Sequence, residues 1–254
     1  MSCMIRLLIP LLALLLAAPA GSRAQPAAPL PEACAAPSEF SEPEEPLPNF
    51  AAALERKSVS VLAIGSGTTV GEVNGSPGAS FPYRMVDALR DARPGVSFEL
   101  TVKGGRNLTA DAMLGLLKTE LAQHHFALVL WQTGTVEAVR GLRLDGMRGA
   151  LQEGIQQIQD TGGDVVLVDS QFSRFLRANT DLDPYESALQ QIATLPGVVL
   201  FRRFDLMRGW AGEGRIDLER VRKPDRDKAV ALLNTCLGDT LAAFVLDGAA
   251  QASH

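Results

Sequence analysis

The sequence predicts an α/β chain, a three-layer α/β/α sandwich around a five-stranded parallel sheet. Three observations predict it. Five short apolar runs alternate with stretches of helical period, the spacing of strand-helix-strand units. Three of the runs, 126–131, 165–168 and 198–201, are apolar at every position rather than at every second one, as strands covered on both faces are. The composition, 46% hydrophobic and 21% charged over 254 residues with 23 Gly and 15 Pro, excludes collagen, low-complexity and disulfide-dense chains.

In chain order, residues 1–24 stand apart. Arg6 precedes the apolar run Leu7 to Ala18, and Ser22-Arg23-Ala24 supplies small residues at the cleavage positions. This pattern predicts a signal peptide cut near Ala24, the run being too short for a transmembrane helix of roughly 20 residues. The mature chain is therefore expected to be periplasmic or secreted, with no membrane span. Cys3 leaves with the leader, and Cys34 and Cys236 remain. In an oxidising compartment that pair predicts one disulfide closing a loop of about 200 residues; the alternative is two unpaired thiols. Residues 25–57, rich in Pro and Ala and without periodicity, are expected to form an unpacked tail.

One domain is expected over residues 58–247. Its strands are Val59 to Gly65, Val96 to Val102, Phe126 to Trp131, Asp164 to Val168 and Val198 to Phe201. Met113, Leu114, Leu117 and Leu121 share one helical face, as do Met147, Leu151, Ile155 and Ile158. A last helix starts near Asp225 and is expected to bury Ala229, Leu232, Leu233, Cys236, Leu237 and Leu241, leaving 248–254 as a tail.

Ligands of parallel sheets sit beyond the carboxyl ends of the strands, which selects the loops 65–71, 104–109, 132–137, 169–173 and 202–210. The glycines 65, 67 and 71 approach a dinucleotide-binding turn, but Lys103 stands where a ribose-binding acid belongs, so no cofactor is expected. A formal charge of −5 speaks against nucleic acid as partner. Glu137, Asp169 and Asp205 reach the same sheet edge without metal-ligand spacing; they are expected to cap helices and pair with Arg202 and Arg203, and no metal is expected. Asn107-Leu108-Thr109 fits a glycosylation sequon and reads better as a helix N-cap. Trp210 beside Arg208 is either a core aromatic or a sugar-stacking edge.

The loops also carry a resemblance. Ala63-Ile64-Gly65-Ser66-Gly67-Thr68-Thr69-Val70-Gly71, Lys103-Gly104-Gly105-Arg106-Asn107-Leu108-Thr109 and Leu128 to Glu137, in that order and followed by Val166 to Phe172 and Phe201 to Trp210, resemble the SGNH (GDSL) hydrolase superfamily, in particular its exported bacterial members, over about residues 55–245. The resemblance implies a flavodoxin-like strand order and, for active members, ester hydrolysis or acyl transfer. It implies that the Gly105 amide lies in the oxyanion hole. The same blocks depart from the family at its chemistry. Gly67 occupies the place of the nucleophilic serine, Val136 that of the oxyanion asparagine, and Glu137 follows where Asp is usual. Neither Asp217-Leu218-Glu219-Arg220 nor Asp225-Arg226-Asp227-Lys228 supplies the histidine of Asp-x-x-His.

Histidine is scarce anyway. His124 and His125 precede the third strand at the amino end of the sheet, and His254 ends the chain. Serine catalysis needs a base near neutrality, and arginine stays protonated. The expectation is a pseudoenzyme whose cleft, lined by Gly67, Gly105, Asn107, Thr135, Glu137 and Gln171, binds an acylated carbohydrate or a cell-envelope protein. The alternative is a divergent esterase using Ser66 as nucleophile and Glu137 as base, although an ordinary carboxylate near pKa 4.3 is a poor base for a hydroxyl.

Overall fold

A computed structural model describes residues 30–71 and 78–253; the expected leader with Cys3, and His254, lie outside the described residues. The elements run α1 (Ser38–Ser41), α2 (Pro48–Glu55), β1 (Ser58–Gly65), α3 (Gly67–Val70), α4 (Phe81–Ala92), β2 (Ser97–Gly104), α5 (Ala110–Leu121), β3 (Leu128–Gln132), α6 (Thr135–Val139), α7 (Leu144–Asp160), β4 (Asp164–Val168), α8 (Arg174–Asn179), α9 (Asp183–Ile192), β5 (Val198–Phe201), α10 (Arg203–Gly212) and α11 (Arg226–Gln251). All strand pairs are parallel and the order is β2-β1-β3-β4-β5.

Strand pleating sends alternate side chains to opposite faces, and both faces are filled. Val61, Ala63, Leu128, Leu130, Val166 and Val168 pack with helices α2, α4 and α11. Leu62, Ile64, Val129, Trp131, Val165 and Leu167 pack with α5, α7 and α9. Every residue of β3 and β4 is buried, which is why both strands are apolar apart from Gln132 and Asp164 at their ends. Thr109 caps α5, its side chain accepting from the Ala112 amide.

Three expectations need correction. From residue 30 onward the stretch expected to hang free is packed. Cys34, Leu47 and Phe50 are buried, the Leu47 amide donates to the Gly248 carbonyl, and Asp164 accepts from the Asn49 side chain and the Phe50 amide. The disulfide Cys34–Cys236, with Cα atoms 4.9 Å apart, ties this strap to α11. Its partners lie at distant chain positions, so no local periodicity betrays them. The expected C-terminal tail is likewise the last turn of α11, with Ala249 buried. On that helix Leu232 is 37% exposed rather than buried. Helix α11 is the one described helix long and apolar enough to cross a membrane, yet it spends that apolar surface on α2, α4 and the disulfide.

Trp210 belongs to the core. It is buried, and its indole N–H donates to the Ala35 carbonyl at 2.9 Å, which removes it as a sugar-stacking edge.

Candidate functional site

The register of the sheet brings the selected loops together. Gly65 pairs with Gly104, Ile64 with Trp131, and Gln132 with Val168, so β1, β2, β3 and β4 end side by side. Ser66, Gly67, Asn107, Thr135 and Gln171 line one pocket of about 310 Å³, together with Arg106 and Arg140. The Gln171 amide donates to Thr135 Oγ1 at 3.3 Å, joining the loops after β3 and β4. Thr68 and Gln171 also line a neighbouring cavity of about 570 Å³, bounded by α10, α11 and the segment 216–219.

The Ser66 hydroxyl donates to Gln132 Oε1 at 2.7 Å, and the same oxygen accepts from the Ser66 amide at 3.0 Å and from Thr69 Oγ1 at 3.1 Å. A carboxamide oxygen holds a hydroxyl in place but takes no proton at neutral pH. Gln132 thus organises the turn after β1 without activating its serine.

Two sequence-selected residues are engaged elsewhere. Glu137 is buried, and its carboxylate accepts from the amides of Ala110 (2.5 Å) and Gly134 (3.1 Å) and from Thr133 Oγ1 (3.3 Å). It clamps the starts of α5 and α6, so it does not serve Ser66 as a base. The Gly105 amide donates to the Gly65 carbonyl at 3.2 Å and is not free for an oxyanion.

The segment that would hold the family's acid and histidine is also spent on structure. Asp217 pairs with Arg174 at 2.6 Å, and Glu219 accepts from the Arg174 and Phe175 amides. Asp225 is paired with Arg222 at 2.6 Å. His124 and His125 are exposed between α5 and β3, away from the carboxyl ends of the strands.

Asp205 pairs with Arg202 and Arg208, and Asp169 caps α10 by accepting the Phe204 amide at 2.7 Å. Arg203 differs from the expectation: among the described residues it forms no ion pair. It lies 2% exposed, with Nη1 3.4 Å from Thr68 Oγ1 and its guanidinium 5.5 Å from the Phe81 ring centre. Its Nε is buried without a partner. Gln132 and Arg203 are the residues that sequence reasoning undervalued. The available signal was a polar residue ending an otherwise apolar strand, and a charge set between Phe201 and Phe204.

Asp169 and Glu186 form a buried carboxyl pair. Burial pushes both above the usual carboxylate range, and the charge of Glu186 raises Asp169 further. A carboxyl raised in the fold lends stability that is fully present below the ordinary carboxylate range and is lost as pH climbs through its elevated value. Asp169→Asn keeps the acceptor for Phe204 and removes the charge. The variant should therefore gain on the wild type in thermal midpoint over the pH range above the ordinary carboxylate values. A midpoint difference that stays flat across that range would mean the pair does not titrate.

Residues 33–251 match the model of the Non-GDSL lipase-like family. No curated protein matches by sequence. Among solved structures the chain is similar to TesA at 18% identity, covering 72% of this chain and 97% of that one, with a TM-score of 0.56. It is similar to the psychrotrophic esterase EstA from Pseudoalteromonas sp. at 18% identity, covering 72% and 96%, with a TM-score of 0.53. A two-domain esterase (CEX) active on acetylated mannans aligns at 13% identity over 84% of this chain and 55% of its own length, with a TM-score of 0.60. At these identities the structural likeness concerns the fold.

Proposed function

Because the chain belongs to the Non-GDSL lipase-like family, we propose that it is an SGNH-fold binding protein that holds an acylated carbohydrate in the cleft above β1–β4 and does not hydrolyse it. The observation that carries this reading is the environment of Ser66. Its hydroxyl is bound to a carboxamide oxygen, Glu137 is clamped by two amides, and glycine occupies position 67. Removing triad members costs a serine hydrolase ~10⁴ to 10⁶ in rate. The activity of CEX on acetylated mannans supports an acetylated sugar as the ligand class, and Asn107, Thr135 and Gln171 supply polar groups for hydroxyls. The disulfide supports a mature chain working outside the cytoplasm.

The test pairs labelling with binding. Intact-mass analysis after fluorophosphonate treatment should show no adduct, while acetylated manno-oligosaccharide binds and keeps its acetyl groups. Asn107→Ala should weaken that binding by roughly five- to tenfold, the value of one hydrogen bond. An adduct on Ser66 that disappears in Ser66→Ala would instead make the protein an esterase.

A further inference from the structure

The larger cavity has a chemistry that the carbohydrate reading does not use. Phe172, Met207, Ile216, Val230 and Leu233 give it apolar walls, and Arg203 lines it from the buried end near Thr68. Phe175, on the same lining, leaves 69% of its surface exposed. A volume of about 570 Å³ is that of a small-molecule site, within the ~300–1,000 Å³ range.

A guanidinium buried in such walls needs an acceptor, since an unpaired buried charge is strongly disfavoured. Among the described residues, little is supplied. Thr68 Oγ1 is a long contact, and Nε has none. The carboxyls of Asp169 and Glu186 are the nearby acids and their charges offset part of the burial of Arg203, but neither comes within ion-pair distance of it. The other acids on the lining are Asp217, paired with Arg174, Glu219, which accepts two amides, and Asp227, on the exposed first turn of α11. Burial lowers Arg203 to about 10, which still leaves it charged at neutral pH.

We propose that this cavity binds an unbranched aliphatic carboxylate, its head on Arg203 and Thr68 and its chain between α10, α11 and the 172–175 segment. The two ends of the cavity match the two ends of such a ligand. A carboxylate accepts the free guanidinium donor, and the hydrocarbon covers apolar wall that water now meets. No bond is made or broken. The site shares Thr68 and Gln171 with the smaller pocket, so a ligand head here would adjoin a sugar bound there, but neither reading requires the other.

Calorimetric titration of the intact oxidised protein with sodium decanoate, below its micelle concentration, tests this. Decanoate should bind, and 1-decanol should bind at least tenfold more weakly. Arg203→Gln should lower decanoate affinity by at least tenfold. Val230→Trp, which fills the cavity from α11, should abolish binding, with circular dichroism confirming the fold. Should Arg203→Gln fail to fold, the decanol comparison and Val230→Trp still decide. Absent decanoate binding, equal affinity for decanol, or full affinity in Val230→Trp would each overturn the proposal. The manno-oligosaccharide titration uses a different probe, so failure of one reading is seen separately from failure of the other.

Discussion

Replacing Cys34 and Cys236 together by alanine is expected to lower the thermal midpoint by roughly 10–20 °C. The bridge joins residues 202 apart in sequence, and the loop-closure entropy it removes from the unfolded chain is about 5 kcal/mol as an upper value. For a domain of this size each kcal/mol moves the midpoint by roughly 2–4 °C. Both cysteines are fully buried, so the variant also loses packing under the strap. Scanning calorimetry of the variant against the oxidised wild type measures the shift. A change below about 3 °C would mean that the strap is held by its other contacts. Those are the Trp210–Ala35 bond, the Leu47–Gly248 bond and the two bonds to Asp164. The prediction concerns the site as well as stability, because the strap packs on α11, which forms one wall of the larger cavity.

Gly104→Ala is expected to cost about 3 kcal/mol or more and to abolish binding in the smaller pocket. Gly104 ends β2 with φ at +145°, a conformation that L residues avoid, and a Cβ there would overlap the Gly65 carbonyl. That carbonyl accepts the Gly105 amide and so fixes the loop carrying Arg106 and Asn107 beside the turn carrying Ser66. Gly115→Ala is the control. It lies within α5, a Cβ there meets nothing within 4 Å, and alanine should be neutral or stabilising by up to about 1 kcal/mol. Urea unfolding and oligosaccharide titration of both variants read the contrast. Wild-type stability and binding in Gly104→Ala would show that this close approach does not position the site.

Much of the site was legible before any coordinates. The expected strand ends at Gly65, Val102, Trp131 and Val168 fall within two residues of the observed ones at Gly65, Gly104, Gln132 and Val168, and parallel strands must deliver the loops after them to one edge. Ser66, Gly67, Asn107, Thr135 and Gln171 meet there for that reason. Their spacing in sequence could not reveal what each polar group was already bonded to. Glu137 and the Gly105 amide sit in the right loops but are consumed by neighbouring backbone. Gln132 stood in the sequence as the first residue of the loop after the third strand and is the acceptor that holds the first turn.

The sequence by itself determined the layers, because burial on both faces of a parallel sheet and on one face of each helix leaves a periodic mark in the chain. It also shows which residue types stand at the family's positions: glycine at 67, valine at 136, and no histidine in 217–220 or 225–228. Only the packed structure shows that the N-terminal stretch from residue 30 is a strap, that Trp210 is core, and that Arg203 ends buried, without an ion pair among the described residues, beside an apolar cavity. These are contacts between segments up to about 200 residues apart. Hydrogen bonds and burial across such distances arise from the packing of whole elements, and no local pattern in the chain records them.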